Sequence, residues 1–268
     1  MKLDDAKPAK KVKAVKKKVI VETIPDNAPT GFFEIKGYPS KGKLYPKSTQ
    51  IFSRPLKILE VKQLTTIDES NFDSVINNVL SKTVKGIEID ELCPADKLFI
   101  IFWQRANTYK GDGFAVDFVC NKCNKESSYD FDVTNLVLSD IPDDYSLDKL
   151  ITLPQSKHKI KARQIVVRDE RLIKSFLENP ETSSYDSDLL TVAAVIETVN
   201  GNVLSLKDKY LMLTEELSII DSMHLMTVYK KNEISIEPTL EVECKTCGES
   251  AETPITFHPD FFLPEFKI

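Results

Sequence analysis

The chain has 268 residues, of which 41% are hydrophobic and 29% charged, and its formal net charge at pH 7 is −5. This composition suffices for one large or two modest hydrophobic cores and indicates a folded protein. No apolar run approaches the roughly 18 residues that a membrane span needs, and the N-terminus lacks the apolar centre of a signal peptide. We therefore expect a cytoplasmic protein that has no membrane partner.

The chain begins with a basic tail. Residues 1–18 contain eight lysines and two aspartates, a net charge of +6, so the overall charge of −5 leaves −11 on residues 19–268. Because the tail has no apolar face to bury, we expect residues 1–22 to be disordered. It is interpreted as a solvated tail, a docking segment for an acidic protein, or an arm that binds nucleic-acid phosphates. The acidic remainder disfavours nucleic-acid binding by the globular part.

An unusual loop is predicted next, at residues 31–46. The segment GFFEIKGYPSKGKLYP contains three glycines, two prolines and four aromatic residues. Glycine and proline at this density oppose a regular helix or strand, while the aromatic side chains favour burial. We therefore predict an irregular loop that aromatic burial holds in place.

A set of elements then follows that is predicted to occur twice. In the first copy, an extended segment at 51–64 precedes an amphipathic helix that Gly86 ends, and a second helix begins near Cys93 and Pro94. The apolar residues of the amphipathic helix recur at helical spacing. They are Phe72, Val75, Ile76, Val79, Leu80 and Val84.

The second copy has the same predicted order. An extended segment at 159–167 precedes a helix that Gly201 ends, and Thr214 is expected to cap a helix over 215–231. The apolar residues of the first of these helices are Leu189, Val192, Ala193, Ile196 and Val199. Matching positions lie 115 to 124 residues apart, as loop insertions after a duplication would produce.

Each copy ends in a Cys-x-x-Cys pair between two strand-like segments. The pairs are Cys120/Cys123 and Cys244/Cys247, and two intervening residues let each pair of thiolates converge on a tetrahedral ion. Neither pair has a third local ligand, so we predict one structural zinc that all four cysteines share; the alternative is a separate structural or redox role for the thiols. His258 is the alternative ligand, although four cysteines already complete a closed site. The fifth cysteine, Cys93, is predicted to be a packed or helix-capping thiol.

The predicted fold class is α+β, with internally duplicated units of an extended segment, two helices and a zinc-knuckle hairpin that the shared zinc joins. The first half covers 23–140 and contains the loop and the first knuckle. The second half covers 141–268 and contains the second knuckle and an aromatic C-terminus.

Enzyme chemistry is not indicated. The histidines His158, His224 and His258 form no H-x-x-x-H pair, and no phosphate-binding glycine motif occurs. A closed four-thiolate site leaves no coordination position for water. We therefore expect no catalytic residue and no small-molecule substrate.

Several motifs together resemble a known family. Residues 39–46, PSKGKLYP, precede a strand around 54–56, a helix and a knuckle, and the late knuckle is followed by HPDFFLPEF at 258–266. In these features, over most of 31–268, the chain resembles the baseplate hub and hub-assembly proteins of T-even type contractile-tailed phages. The resemblance implies a late, non-enzymatic structural or assembly role in the host cytoplasm, through contacts with other tail and baseplate proteins. It leaves open whether the protein stays in the virion.

Two segments are predicted to bind partners. The residues are Tyr38, Pro39, Leu44 and Tyr45 in the loop, and Phe261, Phe262 and Phe266 near the C-terminus. The C-terminal segment either packs across the second half or presents aromatic anchors, and Phe257 is expected to pack. The alternative function is a nucleic-acid-associated zinc-ribbon protein that uses the lysine-rich arm, a partner that we favour less.

Overall fold

The computed structural model describes residues 28–263, except 69, 110–113, 132–136, 139–140, 142–144, 146–149, 238 and 255–258. The predicted tail at 1–22, together with Phe257, His258 and Phe266, lies outside the described residues. The helices are α1 (Ile58–Leu64), α2 (Phe72–Thr83), α3 (Pro94–Thr108), α4 (Val167–Glu178), α5 (Ser187–Val195), α6 (Leu206–Leu211) and α7 (Ile219–Asn232). Short 3-10 turns cover Ile89–Glu91 and Pro259–Phe262, and a π-helical turn covers Met212–Glu216.

The strands between these helices form small antiparallel sheets. The strands are β1 (Phe33–Glu34), β2 (Phe52–Ser53), β3 (Val84–Lys85), β4 (Phe114–Val119), β5 (Glu126–Phe131), β6 (Val137–Leu138), β7 (Leu150–Thr152), β8 (Lys159–Ala162), β9 (Ile196–Val199), β10 (Ile236–Glu237), β11 (Thr239–Glu243) and β12 (Ser250–Pro254). They form sheets of the orders β1-β2-β3 and β7-β8-β9 and the pairs β4-β5, β11-β12 and β10-β6. The predicted α+β class is confirmed. Among the described residues, each helix is too short or too polar to cross a membrane.

Two stretches of the chain share most of their element order, namely two strands, two helices, a third strand, a later helix and a hairpin, although α6 and the π-helical turn occur only in the second. An arginine follows the second strand in each case. Arg54 contacts Glu60, and Arg163 contacts Asp169, through both terminal guanidinium nitrogens. Each acid is the third residue of its helix and also accepts the backbone N–H of the N-cap residue, which stabilises the helix start.

A buried aspartate stands at the third position of both α3 and α7. Asp96 accepts the backbone N–H of Ser40 at 2.9 Å and the hydroxyl of Tyr45 at 2.5 Å. Asp221 accepts the backbone N–H groups of 155–156 at 2.7 and 2.8 Å. Each aspartate therefore ties the loop between the first two strands of its sheet to the start of a helix.

The hydrophobic interior consists of one large core and smaller ones. The large core combines residues from both halves, among them Phe102, Trp103, Val167, Val242 and Phe261. A second core lies between the β7-β8-β9 sheet and α5 and α7; it includes Leu153, Ile160, Val192, Val199 and Leu225. The two halves therefore share their main core.

Both predicted extended segments are wrong in length. The segment at 51–64 contains the two-residue strand β2 and then α1, and the segment at 159–167 contains β8 and then the start of α4. In each case the acid at the third helical position caps a helix that begins soon after the strand. These helix starts rest on side-chain hydrogen bonds, which apolar periodicity does not reveal.

Three helix boundaries also differ from the predictions. The helix predicted through Val199 ends at Val195, and 196–199 form β9, where β-branched residues fit a strand that pairs with β8. Val84, predicted to be helical, begins β3. Thr214 lies in the π-helical turn instead of capping a helix, and the hydroxyl of Ser218 caps α7 by accepting the Asp221 N–H at 3.2 Å. The predicted start of α3 at Cys93 and Pro94 is confirmed.

Replacing Tyr45 with phenylalanine should destabilise the fold. The change removes a hydrogen bond to the buried Asp96 carboxylate and leaves the Cys93 N–H without the acceptor that it has at 3.1 Å. Loss of one partner of a buried polar group costs about 1–3 kcal/mol. Thermal unfolding should show a lower Tm for Tyr45→Phe, whereas the matched control Tyr38→Phe keeps both hydrogen bonds to Asp96. Equal Tm values for the two variants would contradict the assignment.

Candidate metal centre

Two hairpins hold the four cysteines of the predicted metal site. β4 and β5 pair from Phe114 opposite Phe131 to Val119 opposite Glu126, and Cys120 follows β4 directly. β11 and β12 pair in the same antiparallel manner, and Cys244 follows β11 directly. The predicted strand, knuckle and strand arrangement is therefore present in both hairpins.

The two knuckles share one backbone geometry. The N–H of Asn124 donates to the Cys120 carbonyl at 2.8 Å, and the N–H of Gly248 donates to the Cys244 carbonyl at 2.9 Å. Each donor stands four residues after the first cysteine and has a positive φ, +53° for Asn124 and +69° for Gly248. Glycine and asparagine adopt this left-handed conformation more readily than other residues. The residue type at this position therefore supports the turn that brings the second cysteine back towards the first.

The four sulfur atoms form one cluster. All four Sγ atoms lie within 4.8 Å of one another. The Sγ atoms of Cys120 and Cys247 are 3.6 Å apart, and those of Cys123 and Cys244 are 3.7 Å apart. A tetrahedral zinc ion at the usual metal–sulfur length of about 2.3 Å sets its sulfurs about 3.8 Å apart. The cluster therefore fits a single tetrahedral ion held between the two hairpins.

Backbone N–H groups favour the ionised form of two of these thiols. The N–H groups of Cys247 and Thr246 lower the pKa of Cys244 to about 6. The pKa of Cys120 is lowered for the same reason, by the N–H of Cys123 and that of the residue before it. Metal ions bind thiolates, so these backbone groups prepare the first cysteine of each pair for coordination.

An ion pair also links the two knuckles at the surface. The Lys122 Nζ lies 2.7 Å from Glu249 Oε2. Lys122 belongs to the first turn, and Glu249 follows the second. An exposed pair of this kind contributes little free energy.

Cys93 and two histidines lie apart from the cluster. Cys93 is buried at the N-cap position of α3, and burial raises its pKa to about 12, which confirms the prediction of a packed thiol. His158 lies in the turn before β8, and His224 lies on α7. Neither joins the four cysteines in the metal-binding group of the described residues.

The loop residues that were predicted to bind partners are engaged within the chain. Tyr45 and Pro39 are buried, whereas Tyr38 and Leu44 are half-buried against the main core. The rings of Tyr38 and Tyr45 lie 6.4 Å apart. The prediction of an irregular loop held by aromatic burial is confirmed for 35–46, whereas residues 33–34 form the strand β1. Partner binding by these residues stays a prediction.

The aromatic segment near the C-terminus packs on the first half of the chain. The Phe261 ring meets Phe102 edge-on at 5.5 Å, and Phe262 meets Phe261 at 4.9 Å. Arg105 Nε donates to the Phe261 carbonyl at 2.7 Å, and the Tyr109 hydroxyl donates to the Phe262 carbonyl at 2.8 Å. The sequence predicted that this segment either packs across the second half of the chain or presents aromatic anchors to a partner protein. In this structure the Phe261 and Phe262 rings are instead interior side chains, with exposures of 1% and 2%.

Sequence reasoning missed the polar residues that hold these segments. Asp96 and Arg105 each contact residues more than 50 positions away, and neither belongs to a recognisable motif. The one usable signal was Asp96 itself, an acid at the third position of the helix predicted to begin at Pro94. Carboxylates are favoured in the first turn of a helix.

Comparison with known proteins identifies the family of this chain. A profile of the family described as T4 bacteriophage base plate protein matches residues 33–263. The chain therefore belongs to this family of phage baseplate proteins, and the resemblance drawn from the sequence is confirmed at that level. Membership implies a structural phage protein that contacts other tail proteins, in a family that is generally non-enzymatic. No curated protein and no solved structure matches the chain significantly.

Truncating the Phe261 side chain should destabilise the whole protein. Phe261→Ala removes a buried ring from the main core, a change that typically costs about 3–5 kcal/mol. Chemical denaturation should show this loss in the free energy of unfolding. The control is Leu263→Ala, because Leu263 is partly exposed and should change stability far less. A small effect of Phe261→Ala would show that the segment contributes little to the core.

Proposed function

We propose that this protein is a non-enzymatic component of the phage baseplate hub, or a factor that assembles the hub, and that it acts through protein–protein contacts. The family match supports a role in the baseplate. The observation that carries the mode of action is the closed cluster of four cysteines, because four thiolates around one ion leave no coordination position for water. In this proposal the metal centre has a structural role: it holds the two hairpins together in a protein that binds other proteins. Assembly takes place in the host cytoplasm, and the product belongs to the tail baseplate.

The ion proposed for the cluster is zinc. Four thiolates in a tetrahedral arrangement are a common ligand set of structural zinc sites. Each hairpin has two strands and would be marginal alone, whereas zinc binding drives the folding of small domains by about 10 kcal/mol or more. In this proposal Cys120, Cys123, Cys244 and Cys247 join the two hairpins through the metal.

The two halves are proposed to be copies of one ancestral unit. Three matched features support a duplication: the arginine–acid pairs at the second strands, the aspartates at the third position of α3 and α7, and the knuckles themselves. Each feature recurs at a corresponding position in both halves, although the residues lie more than 100 positions apart.

Exposed apolar side chains support a role in protein–protein contacts. Ile58 and Leu59 begin α1 and are 78% and 72% exposed, and Ile219, Ile220 and Met223 lie exposed at the start of α7. Clustered apolar residues on a surface mark sites where proteins meet. Together with the half-exposed Tyr38 and Leu44, they are the proposed contacts for other baseplate subunits.

Co-expression with the tail proteins of the same phage tests the proposed function. We expect the chain to co-purify with baseplate hub proteins at physiological salt. The alternative is a nucleic-acid-associated protein, for which the +6 charge of residues 1–18 is the supporting observation. Salt-dependent DNA or RNA binding without any hub association would favour that alternative.

The purified chain should contain one zinc ion per molecule. Elemental analysis of protein prepared anaerobically and without chelators measures the ratio. Changing both Cys120 and Cys123 to serine should release the metal, because two thiolates cannot close the site. Cys93→Ser should retain it. Two ions per chain, or none, would contradict the shared site.

Deleting residues 1–18 should leave the zinc content and the Tm nearly unchanged, because this segment supplies charge without apolar periodicity. It should weaken any salt-sensitive association of the protein, since the segment holds the chain's densest positive charge. Protection of its backbone amides from hydrogen exchange in the isolated protein would show that the segment is structured.

A further inference from the structure

The starts of α3 and α7 share a short sequence motif. Residues 90–96 read DELCPAD, and residues 215–221, which stand 125 positions later, read EELSIID. In both motifs two acids and a leucine precede the N-cap residue, and a buried aspartate occupies the third helical position. The two motifs therefore occupy corresponding places in the two halves.

The first motif binds the start of α4. The Val167 N–H donates to the Leu92 carbonyl at 2.9 Å, and the Val167 side chain is fully buried. Arg168 and Arg171 form ion pairs with the two acids that directly precede Leu92. In the first half the motif is therefore a docking surface for a helix of the second half.

The second motif lacks these contacts. Glu215 and Glu216 are exposed and form no ion pair within the part of the chain that the structure describes. Ile219 and Ile220 are 75% and 52% exposed, whereas Ala95, which stands at the place of Ile220 in α3, is buried. The exposed side chains here, called the 215–223 surface, are Glu215, Glu216, Ile219, Ile220 and Met223.

A second exposed surface lies on α1, the counterpart of α4 in the first half. Both helices begin four residues after the arginine that pairs with their third residue. Ile58 stands at the position of the buried Val167 but is 78% exposed, and Leu59 beside it is also exposed. Lys62 stands at the position of Arg171 and is exposed. The side chains called the 58–62 surface are Ile58, Leu59 and Lys62.

The two surfaces complement each other. The 215–223 surface carries two negative charges beside three apolar side chains, and the 58–62 surface carries one positive charge beside two apolar side chains. Clustered apolar residues on a surface mark sites where proteins meet, and opposite charges fix the register of such a contact. Each copy of the chain carries both surfaces, so two copies can supply one of each.

We propose that the 58–62 surface of one copy of this chain docks on the 215–223 surface of a second copy. The apolar side chains of both surfaces are buried together, and Lys62 pairs with Glu215, the counterpart of the acid that Arg171 contacts within one chain. Because the two surfaces differ, the contact is head-to-tail and either closes a ring or extends a row of copies. The inference rests on the proposed role in protein–protein contacts and names one partner for it.

Sedimentation velocity of the intact protein over a concentration series tests the self-association. We expect the mean mass of the wild type to rise with concentration. Ile58→Asp and Ile219→Asp should each weaken association at least about tenfold, because each places an unpaired carboxylate in the contact. Both side chains are exposed in the single chain, so the Tm should stay unchanged. The matched control is Val203→Asp, because Val203 is 79% exposed and belongs to neither surface. A wild type that stays monomeric, or variants that associate as the wild type does, would overturn the proposal.

Mixing the two defective variants tests the head-to-tail arrangement. Ile58→Asp retains an intact 215–223 surface, and Ile219→Asp retains an intact 58–62 surface. The equimolar mixture should therefore form pairs although neither variant associates alone, and growth should stop at the pair because both remaining surfaces are blocked. Failure of the mixture to form pairs would refute a contact between these two surfaces.

Co-purification with hub proteins separates this inference from the proposed function. A chain that stays monomeric yet co-purifies with hub proteins would refute the second copy as a partner and leave the proposed function intact. A chain that associates with itself as described but co-purifies with no hub protein would contradict the proposed function and support the contact between copies.

Discussion

The meeting of two small hairpins at four sulfur atoms is the constraint on which the rest of the structure depends. Cys120 and Cys244 are both buried members of the main core, next to strand residues such as Phe118 and Val242. The strands that position the sulfurs therefore also contribute side chains to the core that the helices form. A change in the positions of the sulfur atoms would therefore also shift the strands that pack in the core.

Polar contacts join the halves at a second place. Lys97 on α3 is almost fully buried and lies 3.2 Å from Asp73 and 3.6 Å from Glu170. Burial raises the pKa of Glu170, and the nearby Lys97 opposes that rise. The Val167 N–H donates to the Leu92 carbonyl at 2.9 Å, so the start of α4 also continues the backbone hydrogen bonding of the first half. The two halves are therefore joined by the ion pair between Lys97 and Glu170 and by this backbone hydrogen bond, in addition to the contact between the two hairpins.

Short sequence motifs predicted those parts of the structure that are determined by residues close together in the sequence. The Cys-x-x-Cys spacing indicated both knuckles, and the proline after Cys93 indicated the start of α3. The helices α1 and α4 were missed because an arginine and an acid six residues apart fix their starts, and such pairs have no periodic signature. The contact of Tyr45 with Asp96 spans 51 residues and that of Arg105 with Phe261 spans 156, distances at which sequence spacing carries no geometric information.

The docking of 259–263 on α3 has a consequence for how the protein is made. Phe261 and Phe262 belong to the same core as α2 and α3, yet the ribosome adds them about 150 residues later. The first half emerges with its helices able to form but without the rings that complete its interior, so its apolar surface stays open until the second hairpin and this segment have been synthesised. Such surfaces attract other chains. We therefore expect chaperones to bind nascent chains of this protein, because its native interior can close only after synthesis has passed residue 262.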